Sequence, residues 1–223
     1  MFRRVESSMV GPANQSVGVE TTLQYRTGLK VKPQGISPGD GVRAFLTHQQ
    51  IFKTLGSDND YFSSILGMDS YLDLPLINRS VLYLGTRLGY TEGTALYNSY
   101  FEAGGELLFS QGKGTFLNRG YTNGRFIATR IFNANLEYRF PIKTVDRGYQ
   151  LFPAFLSRIH GSLVLDTTSF DRGLPSRYPK DFMKTYYFSA GVELKTDWKL
   201  FYYLPTQLRL GIYRAKIIRL HLS

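Results

Sequence analysis

The chain has 223 residues, of which 43% are apolar and 15% aromatic, so it is long enough for one domain and is neither disordered nor of low complexity. It contains no cysteine, which excludes disulfides, thiolate catalysis and cysteine-based metal sites. Lys and Arg outnumber Asp and Glu by 27 to 17, but these cations accompany no recognition-helix or RNA-binding motif, so nucleic acid is not an expected partner. The net charge of +10 fits solvated loops, anionic lipid or an anion-lined channel.

The sequence contains no run that approaches the roughly 18 apolar residues of a membrane helix. Residues 1–15 include basic side chains but lack the apolar core of a signal peptide. If the protein is exported, we therefore expect the chain to begin downstream of its signal.

The dominant period of the sequence is two, which is typical of β-strands with one apolar and one polar face. The alternation predicts roughly nine strands in one domain, 1–223: Val17–Leu29, Gly41–Phe52, Tyr61–Leu74, Val81–Tyr90, Tyr100–Phe109, Phe126–Phe140, Ser157–Thr167, Tyr186–Trp198 and Gln207–Ala215. Several are longer than the usual globular strand of about 5–6 residues, and they suit a membrane strand of about 9–11 residues. The predicted fold is all-β, an antiparallel transmembrane β-barrel of which roughly 8–10 strands are present.

Alternation alone does not decide which face looks outward, because a soluble, lipocalin-like barrel has the same period with its faces exchanged. Two observations favour an apolar exterior. Charged residues sit in mid-strand on the polar faces, as a wet lumen would require: Glu20, Arg26, Glu137, Arg139, Glu193 and Lys195. Tyr186 and Trp198 lie on one face at a separation of about 28 Å for a strand tilted by about 45°, close to the distance between the aromatic girdles of membrane barrels.

The most specific segment begins at Phe116. FLNRGYTNGRF followed by IFNANLEYRFPI resembles the bacterial surface antigen superfamily, which includes outer-membrane protein assembly factors and two-partner secretion transporters. The family signature is an Arg-Gly-aromatic motif in a long loop and then a strand that ends in a Glu-aromatic-Arg-Phe-Pro-like run. Here these are Arg119-Gly120-Tyr121 and Glu137-Tyr138-Arg139-Phe140-Pro141.

The flanking segments resemble the family in the same order, from about Val81 to Ala215. GTRLGY resembles the strand before the loop, and SYFEAGGE resembles its lead-in. HGSLVLDTTSF, with Asp166, resembles the strand that follows, and FSAGVEL with LRLGIYRA resembles the next pair. An isolated Arg-Gly-Tyr would not identify the family, whereas the full set of motifs in this order is fairly specific for it.

The resemblance implies that the loop folds into the barrel and that Arg119 pairs with lumen acids, Asp166 first and Glu137 second. Gly120 would permit a tight turn, and Tyr121 would pack against the wall. A desolvated arginine prefers a bidentate carboxylate, which agrees with this pairing. The alternative is a solvated arginine in a surface turn.

The chain departs from the family in three places. Asn118 stands where the family usually has an apolar residue, and residues 105–115 form a longer approach to the motif than the simplest members have. The chain ends in KIIRLHLS rather than in an amphipathic strand with a terminal aromatic. With roughly nine strands against the family's sixteen, we expect a C-terminal barrel portion that is incomplete at both ends.

Other chemistries find little support. The histidines, His48, His160 and His221, are too scattered for a metal cluster. His160, Ser162 and Asp166 share one face of a strand and suggest a hydrolase, but residues i and i+2 are roughly 7 Å apart, beyond hydrogen-bond reach. A polar lumen face is the favoured interpretation, and we expect no catalytic residues, metal or cofactor.

The implied function is insertion or translocation of proteins across the bacterial outer membrane, without enzymatic activity. The implied partners are outer-membrane lipid and lipopolysaccharide, substrate polypeptides and accessory periplasmic proteins. Two alternatives remain open: a barrel that only anchors a missing N-terminal domain, and a soluble ligand-binding β-barrel.

Overall fold

The chain is all-β in a computed structural model that describes residues 5–6, 15–29, 35–74, 77–93, 100–105, 115–149, 152–171, 182–201 and 203–219. The strands are β1 (Val5–Glu6), β2 (Gln15–Ser16), β3 (Gly18–Thr27), β4 (Gly41–Ile51), β5 (Tyr61–Leu74), β6 (Ser80–Gly93), β7 (Phe101–Gly104), β8 (Thr115–Leu117), β9 (Phe126–Ala128), β10 (Arg130–Tyr149), β11 (Phe152–Phe170), β12 (Thr185–Leu200) and β13 (Leu204–Arg219). A 3-10 turn, Lys53–Leu55, follows β4. Among the described residues, no helix is long and apolar enough to span a membrane.

Eight long strands form one antiparallel sheet in the order β3-β4-β5-β6-β10-β11-β12-β13. Each strand pairs with its neighbour in the chain, except where β6 pairs with β10 across an inserted segment. Within the described residues the sheet is open, and β3 and β13 are its two edges. The prediction of a large antiparallel all-β fold is therefore confirmed at the level of the sheet.

The inserted segment between β6 and β10 forms a small separate sheet, in which β7 pairs with β8 in parallel and with β9 in antiparallel. The strand predicted around Tyr100–Phe109 is present as β7, which ends at Gly104 and pairs with β8 and β9. Residues 106–114 lie outside the described part.

The predicted strand Phe126–Phe140 is interrupted at Thr129. Residues before the break pair with β7, whereas residues after it pair with β6. The carbonyl of Thr129 accepts a hydrogen bond from the amide of Thr91, at 2.8 Å, where the chain passes from one sheet to the other. The buried positions change phase at this break, from Phe126 and Ala128 before it to Ile131 and Asn133 after it.

The two faces of the main sheet have opposite character. The strand register brings one set of mostly charged side chains to the same side of the sheet, which we call the polar face: Arg43, Asp69, Arg87, Asn135, Glu137, Asp166, Glu193 and Tyr213. The opposite side of the sheet, which we call the apolar face, carries Leu46, Leu66, Leu88, Leu136, Leu163, Leu165, Val192, Leu194, Leu210 and Ile212.

The insert packs against the polar face, near the end of the sheet where β6 ends and β10 begins. A buried apolar and aromatic cluster joins the two: Ile65, Phe101, Ala103, Phe116, Phe126, Ala128, Ile131, Phe170 and Tyr187. Phe101 and Phe116 meet edge to face with their ring centroids 5.4 Å apart. This cluster is the apolar core of the described part of the molecule.

The connection between β3 and β4 contacts strands on both sides of the polar face. At the opposite end from the insert, Arg158 of β11 donates a 2.5 Å hydrogen bond to the carbonyl of Gly35, in the connection between β3 and β4. Asp40 of the same connection accepts a hydrogen bond from the amide of Asp73 at 2.9 Å. Since β4 and β11 are separated by three strands in the sheet, this connection reaches across the polar face.

Replacing Ile131 with alanine tests the core. Ile131 has no exposed surface, and we expect Ile131→Ala to lower the free energy of unfolding by about 2–5 kcal/mol through lost burial and a residual cavity. Ile142→Ala is the matched control, because Ile142 lies on the same strand but is 55% exposed, and its cost should be within about 0.5 kcal/mol. Urea unfolding of the refolded protein measures both values, and equal costs would show that the insert does not form the core.

Candidate functional site

The site centres on a tight turn of the insert that follows β8. The amide of Tyr121 donates to the carbonyl of Asn118 at 3.2 Å, so Arg119 and Gly120 are the central residues of the turn. The amide of Asn118 donates to the carbonyl of Gly104 at 2.6 Å, which ties the turn to β7. The turn lies against the polar face of β10, β11 and β12.

Arg119 is buried, with 7% of its surface exposed, and its guanidinium contacts three carboxylates. Its Nε and Nη2 atoms donate to the two oxygens of Asp166 at 2.9 and 2.8 Å, which is a bidentate pair. Its Nη1 atom lies 2.6 Å from Glu137 and 3.2 Å from Glu193. The backbone amide of Arg119 also donates to Asp166, at 2.9 Å, so side chain and backbone hold the same carboxylate.

Two further cations complete the cluster. Arg139 lies 2.7 Å from Glu137, and Lys195 lies 2.6 Å from Glu193. The three carboxylates thus face three cations, Arg119 included. Buried charges are costly unless they are paired and hydrogen-bonded, and this set balances its formal charge.

Neutral donors add further hydrogen bonds to carboxylate oxygens that already contact a cation. Ser162 and Tyr213 donate to Glu193 at 2.9 and 2.6 Å, and Asn135 donates to Asp166 at 2.8 Å. These donors come from β10, β11 and β13. The arginine cluster, defined as Arg119 with Glu137, Asp166, Glu193, Arg139 and Lys195, therefore connects the insert to β10, β11 and β12, and Tyr213 extends its contacts to β13.

Gly120 is required by a close approach rather than by its backbone angles. A Cβ atom at this position would lie 2.4 Å from the Cβ atom of Ser189 and 3.1 Å from that of Ala215. Because Cβ contacts below 3.0 Å do not occur in real structures, a larger residue would lift the turn off the sheet. Gly120 thus fixes how closely Arg119 approaches its carboxylates.

Tyr121 packs at the margin of the site. Its ring contacts Phe126 and Tyr187 with centroids 5.0 and 5.9 Å apart. Its hydroxyl donates to the carbonyl of Lys216 at 3.2 Å, on the edge strand β13. Tyr121 therefore joins the aromatic core to the edge of the sheet.

Asn118 has a structural reason for its polarity. It is fully buried, and its amide nitrogen donates to Thr168 at 3.1 Å and to the carbonyl of Tyr187 at 2.8 Å. Its amide oxygen accepts a hydrogen bond from Ser189 at 2.8 Å. An apolar side chain here would leave these groups on β11 and β12 without this partner.

The structure brings together all five residues that the sequence singled out. Arg119 contacts Asp166 and Glu137, and Gly120 and Tyr121 pack beside it. Sequence reasoning missed Glu193 as a third partner, although alternation placed it on the polar face. It also missed Tyr213, because no local pattern reveals which strand becomes the neighbour of β12.

A second buried cluster on the polar face was not predicted. Asp69, 2% exposed, accepts hydrogen bonds from Arg43 at 2.5 and 3.0 Å, from Arg87 at 3.0 Å and from the hydroxyl of Tyr83 at 2.8 Å. The guanidinium of Arg139 lies 4.5 Å from the centre of the Tyr83 ring. Arg139 therefore links this cluster to the arginine cluster, and polar contacts run from β4 to β13.

Among the described residues, His160 and Ser162 do not contact each other. Ser162 donates to Glu193, and the Nε2 atom of His160 contacts Asp197 at 3.4 Å, so these residues face different partners rather than each other. His48 forms a 2.8 Å hydrogen bond with Ser64, and His221 lies outside the described residues. Across the described ranges, no group of three or more His, Cys, Asp and Glu residues is arranged to hold a metal ion.

No model of a known protein family matches the chain, and no curated protein matches it either.

A double-mutant cycle tests the arginine cluster. We expect Arg119→Gln to lower the free energy of unfolding by about 3–5 kcal/mol, because it leaves three buried carboxylates without their shared cation. Asp166→Asn should cost less, since Glu137 and Glu193 still contact Arg119. The double variant should fall short of the summed costs by at least about 1 kcal/mol in urea unfolding.

Arg125→Gln is the matched control for this cycle, because Arg125 lies on the same segment and is exposed. Its cost should stay within about 0.5 kcal/mol. If Arg119→Gln costs no more than Arg125→Gln, the cluster does not hold the insert on the sheet.

Proposed function

We propose that the chain is part of an integral outer-membrane β-barrel of the bacterial surface antigen superfamily, which takes part in the insertion or translocation of proteins. The single observation that carries the membrane placement is inverted burial on the main sheet. Asp166 and Glu193 are 1% exposed, whereas Leu165 and Val192, which lie beside them on the same strands, are 53% and 56% exposed.

This inversion suits lipid better than water. A soluble sheet buries its apolar face, and large exposed apolar patches on soluble monomers mark sites of contact. Here exposed leucines or other large apolar side chains occur on strand after strand of the main sheet, including Leu23, Leu46, Leu66, Leu88, Leu163, Val192 and Ile212. A membrane barrel has this arrangement, with lipid on the apolar face and a polar interior.

The connections support an orientation. At the end that carries the insert, the strands are joined by residues 52–60, 94–129 and 171–184. At the other end they are joined by residues 28–40, 75–79, 150–151 and 201–203. Outer-membrane barrels have short periplasmic turns and longer extracellular loops, so the end with the insert is the extracellular end in this proposal.

The edges require additional strands. In lipid, unpaired backbone groups along β3 and β13 would be strongly unfavourable. In this proposal the barrel closes with further strands, supplied by more chain or by a second copy. Because the main sheet has eight antiparallel strands, its two edges run in opposite directions, and an even number of added strands would close it with antiparallel pairs throughout.

The family assignment rests on the Arg119 turn and its ordered flanks. The turn sits on the polar face with Asp166 and Glu137 as partners, which is the arrangement that the resemblance implies. Substrate polypeptides and accessory periplasmic proteins are the partners that follow from it. In this mechanism the Arg119 turn organises the lumen, and a weak seam in the barrel admits substrate strands.

A second function, an anchor for another domain, is favoured by the occupied polar face. The insert and the two charged clusters fill the side of the sheet that would line a channel. A barrel that only anchors another domain needs a closed lumen and no route for substrate polypeptides. The two functions differ in whether the protein changes the folding of other barrels.

Arginine substitutions at adjacent positions of β4 test the membrane placement. Leu46 lies on the apolar face and Thr47 on the polar face. Leu46→Arg should cost about 2–4 kcal/mol in lipid and reduce the fraction that floats with phosphatidylcholine vesicles. Thr47→Arg, the matched control, should float like the unmodified protein; equal flotation of both variants would contradict the placement.

A folding assay tests insertion against anchoring. Vesicles that contain the protein should speed the folding of an urea-unfolded outer-membrane barrel several-fold over empty vesicles, as followed by its heat-modifiable gel mobility. Arg119→Gln should reduce this acceleration, and Arg125→Gln should not. Folding at the empty-vesicle rate, together with no conductance in planar bilayers, would support the anchor and exclude insertion.

A further inference from the structure

A groove crosses the apolar face over β10 to β13. It consists of two adjoining cavities of about 620 and 610 Å³ that share Leu165, Ala190 and Arg214. The first is lined mainly by apolar side chains, among them Leu136, Leu163, Val192 and Ile212. The second contains Phe188 and Lys216 and lies nearer the end with the insert.

A small residue, Ala190, lies where the two cavities adjoin. Ala190 stands on the apolar face of β12 between the larger Phe188 and Val192, and it pairs with Leu165 on one side and Arg214 on the other. The side chains around it are strongly exposed, with Ile212 at 84%. The groove is therefore an open apolar channel along the sheet surface.

Two cations line this groove, Arg214 where the two cavities adjoin and Lys216 in the second cavity. Arg214 and Lys216 alternate with polar-face residues on β13, and they pair with Ala190 and Phe188. Both are exposed, and neither has an ion-pair partner in the part of the chain that the structure describes. The nearest acid on β12, Glu193, points to the opposite face.

The position of these cations is unusual for a lipid-facing surface. Ile218 pairs with Tyr186, the aromatic residue at the end of the apolar band. At about 3.3 Å per residue and about 45° tilt, Arg214 lies about 9 Å and Lys216 about 5 Å inside that level. Charged residues at such depth are costly and are commonly functional, and their long side chains reach toward the headgroups.

We propose that this groove binds a phosphate-bearing acylated glycolipid of the lipid A type, a lipid of the extracellular leaflet. The inference rests on the proposed membrane placement and orientation. Acyl chains lie along the apolar part of the groove, and the phosphate lies between Arg214 and Lys216. Two unpaired cations match the two negative charges of a phosphate monoester, and arginine offers a bidentate fork for its oxygens.

The test reconstitutes the full chain into phosphatidylcholine vesicles with a small fraction of lipid A. After flotation and detergent extraction, mass spectrometry measures the lipid A that copurifies with the protein. Arg214→Gln with Lys216→Gln should lower the copurified lipid A about tenfold, since charge-assisted hydrogen bonds are lost. Ala190→Phe, which fills the groove and keeps both charges, should lower it as well.

The matched control removes two cations from the other face of the same strand. Arg209 and Arg219 lie on the polar face of β13, and Arg209→Gln with Arg219→Gln should leave the lipid A signal unchanged. The proposed site would be overturned if both double variants lost the same amount of lipid A. It would also be overturned if replacing Arg214 and Lys216 caused no loss of lipid A. Equal retention of phosphatidylglycerol, a monoanionic phosphodiester, would also overturn the assignment to a phosphate monoester.

The design separates the two proposals. If the unmodified protein does not float with vesicles, the membrane placement fails. If it floats and binds no lipid A above the level of the double variant, the placement stands and the lipid site fails.

Discussion

The pairing of Arg119 with three buried carboxylates is the constraint on which the rest of the arrangement depends. Asp166, Glu137 and Glu193 come from three neighbouring strands, and their charges converge on one face of the sheet. Burying them there requires a cation from outside the sheet. The insert supplies it, and the close approach of Gly120 to Ser189 sets the distance at which it does so.

That constraint explains why the apolar core and the polar cluster lie on the same face. Phe101, Phe116 and Phe126 can pack on the sheet only where the insert reaches it, and the insert is held by Arg119 and Asn118. The opposite face receives no cover from the described part of the chain. Its exposed leucines are the physical basis of the proposed contact with lipid.

The edge strand β13 takes part in both faces. Tyr213 donates to Glu193 of the arginine cluster, while the next residue, Arg214, stands on the apolar face beside Ala190. Tyr121 reaches the same strand through the carbonyl of Lys216. Because successive side chains of β13 point to opposite faces, this one strand contributes both to the arginine cluster and to the proposed lipid groove.

The sequence alone determined the strands and their two faces, because a period of two is a local property. Motif order also pointed to Arg119 and its first two partners. Tertiary structure decided the rest. It shows that Glu193 and Tyr213 complete the arginine cluster and that Asp69 pairs with two arginines. It also shows that residues 101–104 belong to the small sheet of the insert and not to the main sheet. These depend on which strands become neighbours and how closely the insert approaches, and both follow from long-range packing rather than from local pattern.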